Sequence, residues 1–231
     1  MKNKAFSFYA GVFLIAGLVM SLQIVQSRIF SVTSWYHLSF LVISMAMFGL
    51  TLGALKVYRS DEKTQREQYG LIAKKHSLAF AAFILVGLFV QLFIPIISNS
   101  TIRTIASLPI AAIATSAAYY HAGIVITIAL TRAPFPVGKT YGIDLLGAGI
   151  GCILALVLME TVDAPSAIII LTALAFLAAN CFPVENDKDQ DVKLDNYTFN
   201  LKKASFRGAL ICLLIAVINI ALPSPFLFPL W

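Results

Sequence analysis

Seven apolar stretches divide the chain, and almost all of its positive charge falls in alternate gaps between them. The stretches cover residues 5–25, 39–57, 78–97, 105–130, 143–159, 164–182 and 208–222. A helix needs about 20 apolar residues to cross about 30 Å of hydrocarbon. Six stretches meet or approach that length. The last offers about 15 residues before Pro223, roughly 22 Å of helix, so it either spans or folds back as a re-entrant segment. The expected fold is an all-α, polytopic membrane helix bundle of six to seven transmembrane helices. It forms one integral domain over residues 1–231, with polar inner loops at 58–77 and 183–207.

The gap that holds the N-terminus and every second gap after it carry 15 of the 17 Lys and Arg residues; the other gaps keep only Arg28 and Arg103. The positive-inside rule then predicts a cytoplasmic N-terminus and a multi-pass protein of the plasma membrane, the bacterial inner membrane. The first stretch is longer than a signal-peptide core and lacks a clean small-x-small cleavage site, so it reads as a retained helix. At 59% hydrophobic and 12% charged residues, the chain carries more apolar surface than a soluble domain of this size hides. Its net charge of +6 follows from topology and anionic headgroups. The bilayer is the expected partner. Nucleic acid is not, because no basic patch carries interleaved aromatics.

Several features read as structural. Cys152, Cys181 and Cys212 lie at wide spacing in apolar spans, which fits neither a disulfide framework nor a metal set. The acidic run Glu185, Asp187, Asp189, Asp191, Asp195 lacks the central Gly and twelfth-position Glu of a calcium loop. Asn99-Ser100-Thr101 matches a glycosylation sequon on the predicted outer side. No paired carboxylates, metal-spaced histidines or nucleophile sets stand outside the linkers, so no catalytic residue, metal or cofactor is expected.

An internal echo is visible. Ser27-Arg28-Ile29-Phe30 closes the first stretch and Thr131-Arg132 closes the fourth. Each is followed by a tyrosine (Tyr36, Tyr141) and a glycine pair: Gly49 and Gly53, then Gly147 and Gly151. Three spans per unit give opposite orientations, so the pattern predicts an inverted 3+3 repeat like half of a major-facilitator-type transporter. Gly147-Ala148-Gly149-Ile150-Gly151 also imitates a nucleotide-binding loop. That loop must end a strand and be followed by an acidic residue about 20 positions on, whereas here the apolar run continues to Met159. Small residues at i and i+4 instead predict close helix packing.

Ionisable groups in or near a membrane are costly and mark candidate sites. His121, after Tyr119-Tyr120, lies in the fourth stretch, and Asp144 lies near the inner end of the fifth. Arg28 and His37 flank the gap after the first. Together with Tyr120 they outline a polar cavity for a cationic solute or a proton relay. The structural alternatives are an ion pair of Asp144 with Arg132 or Lys139, an interhelical hydrogen bond for His121, snorkelling of Arg28, and an aromatic belt of Trp35, Tyr36 and His37. Gln23, Gln26 and Gln91 either line the cavity or bond across helices.

Residues 120–167 resemble the membrane domain that precedes the catalytic domain in membrane-fused spermidine synthases, which are polyamine aminopropyltransferase-like proteins. The resemblance rests on Thr131-Arg132, on Tyr141 with Asp144-Leu145-Leu146-Gly147-Ala148, and on Ala164-Pro165-Ser166-Ala167. Arg28-Ile29-Phe30 and the pair Gly49 and Gly53 extend it to the first two helices. It implies a non-catalytic module that anchors or supplies a polyamine-synthesis domain, with aminopropyltransferase activity on a soluble domain or subunit beyond Trp231. A different expectation is a small transporter-like module for a cationic or amphipathic solute, using His121 and Asp144, with a homo-oligomer completing it.

Overall fold

The computed structural model describes residues 2–33, 39–93, 101–184, 191–194 and 197–221. Eight helices occur among them: α1 (Lys2–Thr33), α2 (Ser39–Arg59), α3 (Glu62–Glu67), α4 (Tyr69–Phe93), α5 (Thr101–Thr131), α6 (Val137–Thr161), α7 (Ala164–Ala179) and α8 (Leu201–Ala221). Two four-residue strands, β1 (Asp191–Leu194) and β2 (Tyr197–Asn200), pair antiparallel ahead of α8. The chain is a helix bundle. Six of its helices, all but α3 and α7, are long and apolar enough to cross a membrane, which makes this a multi-pass membrane protein. Their apolar outer faces, such as Phe48 and Leu52 on α2 and Ile150 and Ile153 on α6, fit a lipid surround.

The short helix α7 still runs the length of the bundle. Asp163 caps its start, where its side chain accepts the Ser166 N–H at 3.1 Å. Past its other end, Ser7 Oγ donates to the Cys181 carbonyl at 2.6 Å. At 16 residues it measures about 24 Å. It is enclosed by protein on most sides, with Ala167, Ile168, Leu171, Thr172, Ala175 and Ala178 all fully buried, as expected of a helix apolar all round.

The last stretch also runs end to end. α8 begins at Leu201, ahead of the apolar run at 208, and takes Lys202, Lys203 and Arg207 into its first two turns. Near its start Ser205 donates to the Phe176 carbonyl. Near its finish Asn219 Nδ2 donates to Asp163 Oδ2 at 3.1 Å and to Ser166 Oγ at 2.8 Å. Those contacts lie at opposite ends of α7, so the re-entrant alternative does not hold for residues 201–221. Pro223 and the residues after it lie outside the described residues, as do Trp35, Tyr36, His37, Asn99 and Ser100.

The loop expected at 58–77 is largely helical. α2 continues to Arg59, α3 is capped by Asp61, and α4 starts at Tyr69. The buried stripe Gly70, Ala73, Ser77, Phe80 and Ile84 carries helical spacing through Lys74 and Lys75, where hydropathy alone sees a break.

The glycine pairs set the layout. Gly147 and Gly151 of α6 press on α1: a methyl group at Gly151 would stand 2.6 Å from Gly17 Cα. Gly49 and Gly53 of α2 press on α5: a methyl at Gly53 would stand 2.8 Å from the Ile124 nitrogen. In lipid, helices gain little from hiding apolar surface, so close van der Waals approach has to hold them together. The middle helix of each three-span unit thus crosses the first helix of the other.

A buried polar pair ties α1 to α5. Tyr119 of α5 is fully buried, and its hydroxyl donates to Gln26 Oε1 of α1 at 2.9 Å. Tyr119→Phe leaves that oxygen without its donor. Interhelical hydrogen bonds in membranes average about 0.6 kcal/mol and reach about 1.7. The expected result is a folded variant about 1 kcal/mol less stable, with a thermal midpoint lowered by roughly 2–4 °C. A melt of the purified protein in detergent checks it.

Candidate functional site

α6 starts after the turn at Pro134-Phe135-Pro136, and its glycines fix it against α1. Two turns in, about 10 Å along the helix, stands Asp144. It faces a cavity of about 400 Å³. This cavity is largely open, and its lining also includes Leu50 and Thr51 of α2, Ala16 and Met20 of α1, and Gly123 and Thr127 of α5. The Thr51 hydroxyl donates to its own helix at the Met47 carbonyl. Asp144 Oδ1 is buried with no hydrogen-bond partner.

The bases expected to neutralise Asp144 are engaged elsewhere. Arg132 Nη1 pairs with Glu62 Oε1 at 2.8 Å, and its Nε donates to Gln65 Oε1 at 3.0 Å. Lys139 Nζ sits 4.8 Å from the centre of the Tyr9 ring, a cation–π contact. The ion pair of Asp144 with Arg132 or Lys139 is therefore corrected. The physical reason is α3, a helix that brings its own carboxylate to Arg132.

That tie has a pH signature. Hydrogen bonding to Arg66, together with the charge of Arg132, holds the Glu62 carboxyl below its ordinary value of 4.5. Hydrogen bonds to Thr64 likewise lower Asp61. A depressed carboxylate contributes above its unfolded pKa and loses that contribution as pH falls through the folded one. Hydrogen-exchange protection in α3 is expected to stay flat from neutral pH to about 5 and to fall below about 4.5. Glu62→Gln should remove most of that step, with Asp61 supplying the remainder.

His121 occupies another face of α5. Its Nδ1 lies 2.9 Å from Nδ1 of His76 on α4. The rings stack at 5.1 Å, with Phe83 at 5.0 Å and Tyr120 edge-on at 5.1 Å. A hydrogen bond between two Nδ1 atoms requires opposite tautomers and holds one proton between the rings. The interhelical bond expected for His121 is thus present. His76, its partner, went unnoticed in the sequence because it follows Lys74-Lys75 inside an expected loop; the helical stripe from Gly70 to Ile84 was the signal that places it in α4.

The four candidate site residues that lie within the described residues, Asp144, His121, Tyr120 and Arg28, do not share one cavity. Asp144 lines the α2–α6 cavity, whereas His121 and Tyr120 contact α4 residues or each other. Arg28 lies near the far end of α1 in a separate cavity with Glu160. Of the glutamines, Gln26 bonds across helices, Gln23 is half-buried, and Gln91 is buried with neither amide atom bonded. Among the described residues no three His, Cys, Asp or Glu side chains gather at one metal-sized point. No protein-family model, curated protein or solved structure matches the chain.

Proposed function

We propose that the chain is a non-catalytic, transporter-like membrane module that takes an amphipathic cation at Asp144. One observation carries this reading: a carboxyl oxygen is buried without a partner at a cavity inside the membrane-spanning region. An ionisable group at that depth is costly and calls for a counter-charge. Both nearby bases are committed to other groups, which leaves the counter-charge to a ligand. His121 stands apart from the cavity and is not part of the ligand site in this reading.

The setting follows from the charge pattern. The end of the bundle that holds α3 and the start of α1 faces the cytoplasm, and the membrane is a plasma membrane of the bacterial inner type. The resemblance to the membrane domain of membrane-fused spermidine synthases makes diamines and polyamines the first cations to try. It also supports a second reading, in which the module anchors or supplies a soluble aminopropyltransferase-like domain or subunit that carries the catalysis. The observation favouring that reading is the braced basic end. There Glu62, Gln65 and Arg132 lock together, and a cavity of about 310 Å³ opens beside Lys4, Glu67, Tyr69 and Phe135.

The test is equilibrium binding of labelled putrescine and spermidine to the protein in proteoliposomes. Saturable binding is expected, weakened roughly 10- to 100-fold by Asp144→Asn. Absence of saturable binding by the unaltered protein would remove the cation reading and leave the anchoring one.

A further inference from the structure

The Asp144 cavity has a neighbour on the same helices. A second cavity, of about 540 Å³, opens toward the opposite end of the bundle. It is lined by Ile24, Ser27 and Arg28 of α1, Ser39 of α2, and Leu156 and Glu160 of α6. Both cavities therefore use α1, α2 and α6.

Their separation is small. On α1, Met20 borders the first cavity and Ile24 the second, one turn or about 6 Å apart. On α6, Ala148 borders the first and Leu156 the second. Cys152 sits at the i+4 step between them, on the same helical face, and is half-buried. Each cavity holds one carboxylate of α6. Asp144 lies at one end and Glu160 at the other, about 24 Å apart along the helix.

We infer that the two cavities are the ends of one cation path along the groove between α2 and α6 over α1, beside the tight Gly17–Gly151 contact, and closed at the level of Met20, Ile24 and Cys152. The inference rests on the reading of Asp144 as a cation site and adds the route by which the cation reaches it. The closing layer is one helical turn thick on α1 and two on α6. Met20 contributes an unbranched side chain with three rotatable bonds, which rearranges more readily than a branched one. Glu160 gives the far mouth a carboxylate as well, there with Arg28 in the same lining. Arg28 lines that mouth without an ion pair to Glu160 among the described residues, so the carboxylate is open to an incoming cation.

The native cysteines supply the test without any substitution. Sealed vesicles containing the whole chain are treated, from one side at a time, with a cationic, membrane-impermeant methanethiosulfonate. Modification is then read peptide by peptide by mass spectrometry. The cysteine thiolate, which forms in water and not in hydrocarbon, attacks the reagent's sulfur and displaces methanesulfinate to leave a mixed disulfide. Cys212, buried in an apolar cleft with Leu88 and Ile211, is the internal unreactive reference. Cys152 is expected to react at least about tenfold faster than Cys212, from either side, because each opening of the closing layer admits water to it and a lipid-filled groove admits none. A Cys152 as inert as Cys212 from both sides would mean a groove filled by lipid, and the path would be abandoned. Reaction from the basic end alone would make the Asp144 cavity a dead end and also overturn the path. Putrescine binding and its loss in Asp144→Asn are measured separately, so the cation site can stand when the path falls, or the reverse.

Discussion

Gly151→Ala is expected to cost the bundle about 2–3 kcal/mol, while Gly149→Ala, two residues away, leaves stability unchanged or raises it by up to about 1 kcal/mol. The difference is geometric. A Cβ at Gly151 would stand 2.6 Å from Gly17 Cα and nearer still to the Gly17 carbonyl oxygen. Those atoms are backbone, so no rotamer change relieves the clash and the two helices must move apart. Gly149 meets nothing within 4 Å, and there alanine only improves helix propensity. Gly53→Ala should match Gly151→Ala, since its Cβ would meet the backbone of Tyr120 and Ile124 in the reciprocal crossing. Gly151→Leu should prevent assembly altogether. Thermal midpoints of the four variants in detergent decide it. Equal harm at Gly149 and Gly151 would mean that the glycine run does something other than pack helices.

This contrast also shows which part of the fold was legible in the sequence. The i, i+4 glycine pairs were visible as packing signals, and each packs as its spacing implies. Their partners were not visible, because nothing in a glycine names the helix it will touch. The reciprocal crossing emerges only from two pairs seen at once. Helix ends were less legible than helix centres. Hydropathy placed the fourth helix at 78 rather than at Tyr69, and the last at 208 rather than at Leu201, because lysines near a helix end read as loop when they are the polar first turns of a spanning helix. That error hid His76, and with it the partner of His121. The candidate site was half legible. Asp144 stood out by its cost in an apolar run, but its expected pairing with Arg132 failed because Glu62, on a six-residue helix, carries no sequence mark of where it will point.

Replacing Asp144 should move stability and binding in opposite directions, and that opposition separates a ligand site from a structural residue. A buried carboxyl oxygen without a partner destabilises the empty protein by about 1–3 kcal/mol. Asp144→Leu removes that cost, so its thermal midpoint in the absence of ligand should lie above that of the unaltered protein. A side chain retained for packing or pairing would behave the other way, since its removal leaves a cavity or an orphaned partner. Binding should fall in the same variants. A hydrogen bond to a charged group is worth about 1.5–3 kcal/mol, so Asp144→Asn, which keeps the shape and loses the charge, should weaken a cation roughly 10- to 100-fold. Saturating ligand sharpens the contrast. At a hundred times Kd it stabilises the unaltered protein by about 2.7 kcal/mol, so adding putrescine should raise its midpoint and leave that of Asp144→Leu where it was. A leucine variant that is both less stable and unresponsive would assign Asp144 to the architecture. One that is more stable and unresponsive would assign it to the solute, because a carboxylate kept at a cost to the fold needs a reason outside the fold.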